Sequence, residues 1–362
     1  MLSKGINCFK IRIRVKEVLS MKTIVENVHF VQDGTMVFGD LYLENGYVER
    51  INYKTANGIK RIASVGLVDL HTHGIHQYSS ECLDVQQLRE MARAYAQSGV
   101  TSFAPTLRSR PLQEYIPYLE AYRKAYGNEY KGARYVGAHL EGPYLNPEQC
   151  GNMDPNSFQK INIQELESFL NQYHKDIAVM TIAPEVENAL EAIYLLHLYG
   201  IEVSLGHTNA TFEQCQAAFR EGATQITHLC NSMPILDHHH RNMMDAILLT
   251  DCICTIIFDH AHISDEMLQW LIPLLGSKRI IAISNGDERT RMRKATLFDM
   301  FKDLYQLYGL KNASMMCAVN AASALKSYTH QISLGRKVDL IVLDEDLNLQ
   351  DVLMDGRSYI GE

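Results

Sequence analysis

Residues 65–74 read VGLVDLHTHG, a short apolar run that ends in two histidines and a glycine. The same pattern recurs through the middle of the chain, where runs rich in Val, Ile and Ala alternate with longer amphipathic stretches. Such alternation is typical of repeated strand–helix units and a parallel sheet. We count eight of these runs, at Val65–Leu70, Val100–Ala104, Tyr135–Leu140, Ile177–Ile182, Ile201–Leu205, Gln225–Leu229, Cys254–Phe258 and Ile280–Ile283.

The stretches between and after these runs predict helices, at Val85–Gln97, Ile163–Tyr173, Glu187–Leu198, Phe212–Arg220, Asp265–Leu275, Ala295–Tyr308 and Ser314–Ser327. Eight parallel strands with intervening helices close naturally into a (β/α)8 TIM-type barrel. A doubly wound open sheet is the alternative, but it would carry a glycine-rich phosphate loop after the first strand. The sequence has none there, so we predict an α/β barrel.

The two ends of the chain are alike in composition and differ from the middle. From Met21 the sequence alternates between apolar and polar residues, with strong hairpin signals at Asp33-Gly34 and Asn45-Gly46. Strand-like composition returns at Lys337–Leu343 and Val352–Met354. Both ends are therefore expected to join in one small β-sandwich domain.

The sequence pattern therefore predicts three parts in the chain. Residues 21–64 and 333–362 form the small β domain, and residues 65–332 form the barrel inserted between them. Residues 1–20 are a basic leader that lacks the apolar core and cleavage site of a secretory signal, and we assign it no role.

Composition excludes several classes of function. The formal charge of −8 over 362 residues argues against a nucleic-acid partner, because nucleic acids bind to basic protein surfaces. No apolar run reaches about 18 residues, so no membrane span is expected. The eight cysteines form no CxxC pair, which favours a reduced, cytoplasmic protein.

Polar residues cluster where the predicted strands end, which is where barrel enzymes carry their chemistry. His71 and His73 follow the first run, and their spacing of two places both imidazoles on one face of a strand. Glu141 ends the third run, His207 follows the fifth and His228 lies in the sixth. Taken singly, each histidine could equally be a satisfied core residue. Together they predict a divalent metal site, with zinc or a similar ion as the occupant.

Several segments resemble the N-acetylglucosamine-6-phosphate deacetylase family of the amidohydrolases. The resemblance runs from about Met21 to Arg357. It is carried by GLVDLHTHG at 66–74, GVTSFAPTL at 99–107, GAHLEGPYLN at 137–146, SLGHTNAT at 204–211, THLCNSM at 227–233, NAASAL at 320–325 and GRKVDLIVLD at 335–344. HLEGP together with GHTNAT and THLxNxM is quite specific for this family, whereas a generic amidohydrolase would share the HxH alone.

The resemblance implies roles for individual residues. Glu141, His207 and His228 match the principal metal ligands, and His71 and His73 match a pair that some members use for a second ion. One or two zinc ions are thus implied.

On the substrate side, Asn231 and Ser232 match positions lining the sugar-phosphate pocket. His262 matches a substrate-binding histidine of the seventh strand, and Arg241 matches an arginine that contacts the phosphate across a dimer interface. The implied protein is a homodimeric enzyme of amino-sugar catabolism, which hydrolyses the acetamide of N-acetylglucosamine 6-phosphate to glucosamine 6-phosphate and acetate.

Two positions depart from the family pattern. The family places its proton-transferring aspartate where this chain has Asn285, and an amide cannot accept that proton. Asp287 is the replacement we favour, because two residues along a strand keep the same face, although they shift the side chain by roughly 6–7 Å. Met153 stands near the usual place of a histidine that polarises the acetyl carbonyl, a task Asn152 could take over only in part.

A shortened loop follows the eighth run. Its Arg289, Arg291 and Arg293 could meet an anionic substrate, although a solvated charged loop is the more common explanation for such a run. Two alternatives to the deacetylase remain open: an amidohydrolase with another N-acyl or cyclic amide substrate, and a non-catalytic protein that binds a sugar phosphate.

Overall fold

A computed structural model describes residues 21–56, 58, 61–287, 295–326 and 330–360 of the chain. Two large sheets organise it: a parallel barrel built from the middle of the sequence and a second sheet built from both ends. Within the described residues, no helix combines the length and the apolar character that crossing a membrane requires.

The eight strands of the barrel pair in sequence order, each parallel to the next. From first to eighth they are Leu67–Thr72, Val100–Leu107, Ala138–Glu141, Ile177–Ile182, Glu202–Leu205, Ala223–Ile226, Ile253–Ile257 and Ile280–Ile283. A short ninth strand, Arg134–Tyr135, runs beside the second. The predicted barrel is therefore confirmed, and each of the eight apolar runs overlaps one of its strands.

Backbone and side-chain bonds close the barrel between its eighth and first strands. The Asn285 amide donates to the His71 carbonyl at 2.9 Å, and the His73 amide donates to the Gly286 carbonyl at 2.7 Å. Asp69 adds a third link, because its Oδ1 accepts from the amide of Ser284 at 3.2 Å and of His71 at 3.4 Å. Burial raises the pKa of this enclosed carboxyl to about 6.

Helices cover the outside of the barrel, at Val85–Gln97, Leu112–Tyr126, Ile163–Tyr173, Ala189–Leu198, Phe212–Glu221, Met243–Leu248, Asp265–Leu275 and Leu297–Ser314. Single turns of 3₁₀-helix lie at Pro147–Gln149, Pro155–Ser157, His174–Asp176 and Ser277–Arg279. N-cap side chains determine where two of these helices begin. Asp84 and Ser264 accept hydrogen bonds from backbone amides of the first turn, so their helices begin where the sequence predicts.

The last helical region is interrupted at Gly309, which takes a φ of 75° inside Leu297–Ser314. Glycine tolerates this left-handed backbone, and the break separates the two helical stretches that the sequence predicts here. A π-helical turn at Met315–Val319 and a short helix at Asn320–Ala324 follow. The predicted end of the second stretch, Ser327, lies outside the described residues.

The small β domain is one seven-stranded sheet that takes strands from both ends of the chain. Its order is Arg357–Ser358, Leu349–Met354, Leu340–Leu343, Ile62–Val65, Lys22–Gln32, Thr35–Glu44 and Tyr47–Tyr53. Asp33-Gly34 and Asn45-Gly46 turn its N-terminal strands, as predicted, with positive φ at all four positions. A separate two-stranded hairpin pairs Gly74–Ile75 with Tyr78–Ser79.

The first predicted strand, Val65–Leu70, is divided between the two sheets. Val65 pairs with Leu340 in the small sheet, whereas Leu67 begins the barrel. Gly66 lies at the crossing, where a Cβ atom would come within 2.3 Å of the Thr101 Oγ1. The close approach of Thr101 on the second barrel strand, rather than a turn, explains glycine at this position.

A charged pair joins the barrel to the small sheet. Arg134 Nη1 lies 2.6 Å from the Oδ2 of Asp339, whose side chain is fully buried. Burial raises the pKa of this aspartate, and the guanidinium offsets part of that rise. Arg134 also reaches Asp355 at 3.4 Å.

We predict that Arg134→Met destabilises the fold by about 2–3 kcal/mol at pH 7.5. This loss of folding free energy is smaller than the loss for a fully buried ion pair, because the arginine is one-third exposed. Without the guanidinium the folded-state pKa of Asp339 rises further, so the loss should shrink as pH falls and the carboxyl takes up a proton. Denaturant unfolding at pH 7.5 and 4.5 measures the loss of stability at each pH. Lys337→Met is the control, because it removes a cation that pairs with the exposed Asp355. Equal losses at both pH values would contradict the account.

Candidate metal centre

Five predicted side chains meet at the C-terminal end of the barrel strands. His71 and His73 come from the first strand and its exit, Glu141 ends the third strand, and His207 and His228 follow the fifth and sixth. All five are buried. Two groups of three, His71–His73–Glu141 and Glu141–His207–His228, each place their ligand atoms within 4.8 Å of one another. Glu141 belongs to both groups.

Glu141 presents its two oxygens to different neighbours. Its Oε1 lies 3.1 Å from the Nε2 of His207 and 3.0 Å from the Nε2 of His228. The same oxygen is 3.6 Å from His71 Nε2, and Oε2 is 3.6 Å from His73 Nε2. Both members of the HxH pair therefore face the carboxylate, as their spacing of two residues predicts. This arrangement lets one carboxylate serve two neighbouring ion positions.

The hydrogen bonding of the cluster fits a cation. His207 Nδ1 donates to the Gln149 carbonyl at 2.7 Å, so its Nε2 carries a lone pair. That Nε2 lies 3.1 Å from the Nε2 of His228, and both nitrogens converge on the Oε1 of Glu141, so three potential ligand atoms face one point. Both ring nitrogens of His71 are buried without a hydrogen-bond partner in the described chain. A metal ion would satisfy the Nε2 atom of His71, which faces Glu141.

The electrostatics favour the protonation states that metal ligands need. Burial lowers the pKa of His71 well below its usual range and that of His73 to about 4. Burial alone would raise the pKa of Glu141, but the surrounding imidazoles hold it well below its usual range. These three groups are thus neutral imidazoles and an ionised carboxylate at neutral pH. His207 differs: burial would lower its pKa, but the adjacent carboxylate raises it.

His139 lies beside the cluster without belonging to it. Its ring centroid is 4.6 Å from that of His71. Its Nδ1 is bonded to the Leu70 carbonyl at 2.9 Å and its Nε2 to the Thr181 hydroxyl at 2.7 Å. With both nitrogens committed to the protein, His139 is a core histidine that supports the neighbouring ligand.

The predicted residues of the sugar pocket lie on loops around the cluster. Asn231 Nδ2 donates to the His228 carbonyl at 3.2 Å, which ties the loop to a ligand position. A Cβ atom on Gly151 would lie 2.7 Å from Ser232 Oγ and 3.4 Å from the His207 ring. The segment that carries Met153 therefore runs across His207 and beside Ser232.

His262 is held by an aspartate of its own loop. Its Nδ1 donates to the Asp259 Oδ2 at 2.7 Å, and the backbone amides of Ala261 and His262 donate to Oδ1. Burial would raise the pKa of Asp259, but these bonds lower it. The pairing fixes the tautomer of the neutral ring, and its Nε2 makes no bond to a described residue.

Arg241 lies away from the cluster in the single chain. Its side chain is 65% exposed, forms an ion pair with Glu213 and stacks over the Phe212 ring with its guanidinium carbon 4.6 Å from the centroid. The neighbouring His238, His239 and His240 are also exposed. Within one chain the arginine therefore does not reach the metal ligands.

The end of the eighth strand contains an ionic network that the sequence did not reveal. Asp287 Oδ2 lies 2.5 Å from Arg108 Nη2, and Arg108 Nη1 lies 3.1 Å from Glu81. Arg110 also pairs with Glu81. The TLRSR sequence after the second strand was the available signal. The side chain of Asn285 makes no hydrogen bond to a described residue, and Arg289, Arg291 and Arg293 lie outside the described residues.

We predict that Glu141→Gln lowers metal affinity by at least about 100-fold, because the change keeps the side-chain size and removes the charge facing every imidazole. Zinc titration calorimetry and metal content after dialysis measure the loss. Glu148→Gln, on the exposed 3₁₀ turn nearby, is the matched control and should bind normally. Unchanged affinity in a folded Glu141→Gln protein would show that this carboxylate holds no ion.

Comparison with known proteins agrees with the fold and the site. The sequence profile of the amidohydrolase family matches residues 62–358. The N-acetylglucosamine-6-phosphate deacetylase of Vibrio furnissii is 28% identical over 325 residues, which cover 81% of each chain. The N-acetylgalactosamine-6-phosphate deacetylase of Escherichia coli O157:H7 is 31% identical over 334 residues, which cover 80% of this chain and 85% of that one.

Solved structures bear on the fold. N-acetyl-D-glucosamine-6-phosphate deacetylase from Mycobacterium smegmatis superimposes with a TM-score of 0.86 at 21% identity, over 94% of this chain and 100% of that one. The Thermotoga maritima N-acetylglucosamine-6-phosphate deacetylase gives 0.83 at 22% identity, over 93% and 99%. With a family match across most of its length and a relative above 30% identity over four-fifths of it, this chain belongs to the amidohydrolases, in the N-acetylglucosamine-6-phosphate deacetylase family.

Proposed function

We propose that this chain hydrolyses the acetamide of N-acetylglucosamine 6-phosphate, giving glucosamine 6-phosphate and acetate in amino-sugar catabolism. The observation that carries the proposal is the buried Glu141 carboxylate, which faces four imidazoles at the C-terminal end of a barrel. Relatives that align with four-fifths or more of the chain are named as deacetylases of this sugar phosphate, which supports the substrate.

Zinc is the ion that suits this set of nitrogen and carboxylate donors, in one or two copies. A divalent ion bound there supplies Lewis acidity, which polarises an amide carbonyl and lowers the pKa of water. Glu141, His207 and His228 would hold one ion, and His71 and His73 would share Glu141 to hold a second. The Gln149 carbonyl keeps the His207 ring in place, and His139 packs against the His71 ring.

Asp287 is the residue we assign to move the proton from water to the leaving amine. Deacetylation needs a carboxylate for the first transfer, and the Arg108 guanidinium holds the Asp287 carboxylate at the end of the eighth strand by pairing with it at 2.5 Å. Arg108 in turn is held by Glu81. Asn285 cannot accept the proton, so in this chain it would contact the substrate as a hydrogen-bonding amide.

The sugar would be held by groups around the cluster. His262 Nδ1 donates to Asp259, so in the neutral ring Nε2 accepts a hydrogen bond from a sugar hydroxyl. Asn231 and Ser232 would line the pocket beside His207. These polar groups orient the acetamide toward Glu141 and its imidazoles.

The phosphate would be bound by Arg241 of a second copy of the chain, in a homodimer. In the single chain Arg241 is 65% exposed, and its ion pair with Glu213 lies at the surface, where a second copy can contact it. The same stretch carries the exposed apolar side chains Leu236 and Leu249, at 53% and 72% exposure. Apolar residues around an exposed arginine are typical of a protein interface. The seven cysteines of the described chain are free thiols, which supports a cytoplasmic location.

A second candidate substrate is N-acetylgalactosamine 6-phosphate, because the relative named for it is 31% identical over most of this chain. It shares the acetamide and the phosphate and differs in the orientation of one hydroxyl. Other N-acyl or cyclic amides remain possible substrates for the same centre. A non-catalytic sugar-phosphate-binding protein is motivated by Asn285 and Met153, which stand where the family places catalytic groups.

Zinc-loaded protein is expected to release acetate from N-acetylglucosamine 6-phosphate, measured by coupled acetate assay beside N-acetylgalactosamine 6-phosphate. Glu141→Ala is the inactive control. Faster turnover of the galactosamine derivative would move the assignment to that sugar. No release above the control, with calorimetric binding of the sugar phosphate, would favour the non-catalytic protein.

Asp287→Asn is expected to lower kcat by about 10²–10⁴-fold while the protein stays folded and metal-loaded, since the amide cannot take the proton. Asn285→Asp in that background should restore part of the rate by returning a carboxylate to the strand end. Asp154→Asn, on an exposed turn, serves as the matched control. A rate for Asp287→Asn equal to that of the unaltered enzyme would show that another group is the base.

A further inference from the structure

A cavity of about 530 Å³ lies between the small sheet and the last helical region, remote from the metal cluster. The sheet contributes Val31, Ala63 and Val65, and the helical region contributes Met315 and Val319. Its volume falls within the range of small-molecule sites, and it shares no lining residue with the centre at the barrel end.

The inner wall of the cavity is mostly apolar, and the hydroxyl groups of its two buried serines bond to each other. Ser64 Oγ and Ser314 Oγ, both buried, bond to each other at 2.7 Å. His330 is also buried, and burial lowers its pKa to about 3, so the ring adds no charge at neutral pH. The deep part of the cavity therefore favours an uncharged, apolar group.

The rim of the cavity is positively charged. Lys311 and Arg336 are exposed residues of the lining, and neither forms an ion pair or a side-chain hydrogen bond with a described residue. Lys311 Nζ lies over the hairpin turn, 3.4 Å from where a Cβ on Gly34 would be. Asp33 is the one acid among the lining residues, and its Oδ1 accepts from Gln331 at 3.2 Å. Two cations against one acid leave the lining at a net charge of +1, in a chain of formal charge −8.

We propose that this cavity binds a small amphipathic carboxylate, with its apolar chain between the sheet and the helices and its head group at Lys311 and Arg336. The arginine offers the planar fork that matches a carboxylate, and the lysine adds a point charge. A monoanion balances the net charge of the lining. The mostly apolar inner wall favours an alkyl chain over a polyhydroxylated sugar, so this ligand differs from the substrate of the metal centre.

Titration calorimetry of octanoate into the zinc-loaded full chain tests the proposal, with octanamide as the uncharged analogue of equal length. Octanoate should bind one to one, and octanamide should bind about tenfold more weakly or worse, because it lacks the charge. The double variant Lys311→Gln/Arg336→Gln should bind octanoate as weakly as octanamide. Lys175→Gln/Lys278→Gln removes two exposed charges elsewhere and should bind octanoate normally.

Ser323→Phe separates this cavity from the metal centre. Ser323 is an exposed lining residue, so a phenyl ring there should block octanoate binding while acetate release from the sugar phosphate is unchanged. If octanoate bound at the zinc ion instead of in the cavity, it would still bind to the Ser323→Phe protein. The proposal is wrong if octanoate does not bind, binds no better than octanamide, or binds Ser323→Phe or the Lys311/Arg336 double variant with undiminished affinity.

Discussion

The enclosure of one carboxylate governs the architecture of this protein. Glu141 is only 4% exposed, and an ionised group at such a position requires compensating charge or hydrogen bonds from its surroundings. Four imidazoles surround it, from positions up to 87 residues away in the sequence. A parallel barrel brings them together because it collects the C-terminal ends of all its strands at one rim. The fold and the charge of the centre therefore depend on each other.

Much of the fold could be predicted from apolar runs and capping residues. Every run became a barrel strand because a strand buried on both faces must be apolar throughout. The helices capped by Asp84, Asn162, Thr211 and Ser264 begin at the predicted residue. Leu112–Tyr126 was not among the predicted helices, since Pro117 lies inside it. The division at Gly66 was also missed, because contact with Thr101 is a tertiary constraint that local sequence does not encode.

The site was predictable to the extent that strand geometry determines it. Spacing and position at strand ends predicted that the five cluster residues would meet. They could not show that His71 is a candidate ligand whereas His139 is a core histidine. What distinguishes those two is whether their nitrogens already have protein partners, which depends on Leu70 and Thr181 across the barrel. The pairing of Asp287 with Arg108 spans 179 residues and follows no periodicity. This ion pair nevertheless sets the environment of Asp287, which is the acid closest in sequence to the position of the family's catalytic aspartate.

The junction between the first and eighth strands has a consequence for how this protein can change over generations. His71 and His73 bind the eighth strand through main-chain atoms and face Glu141 through their rings. A substitution at either position therefore deletes a ring but leaves the backbone junction intact. Ligands can be lost one at a time while the barrel stays closed. Descendants of such a scaffold can therefore pass from two ions to one while the barrel stays closed.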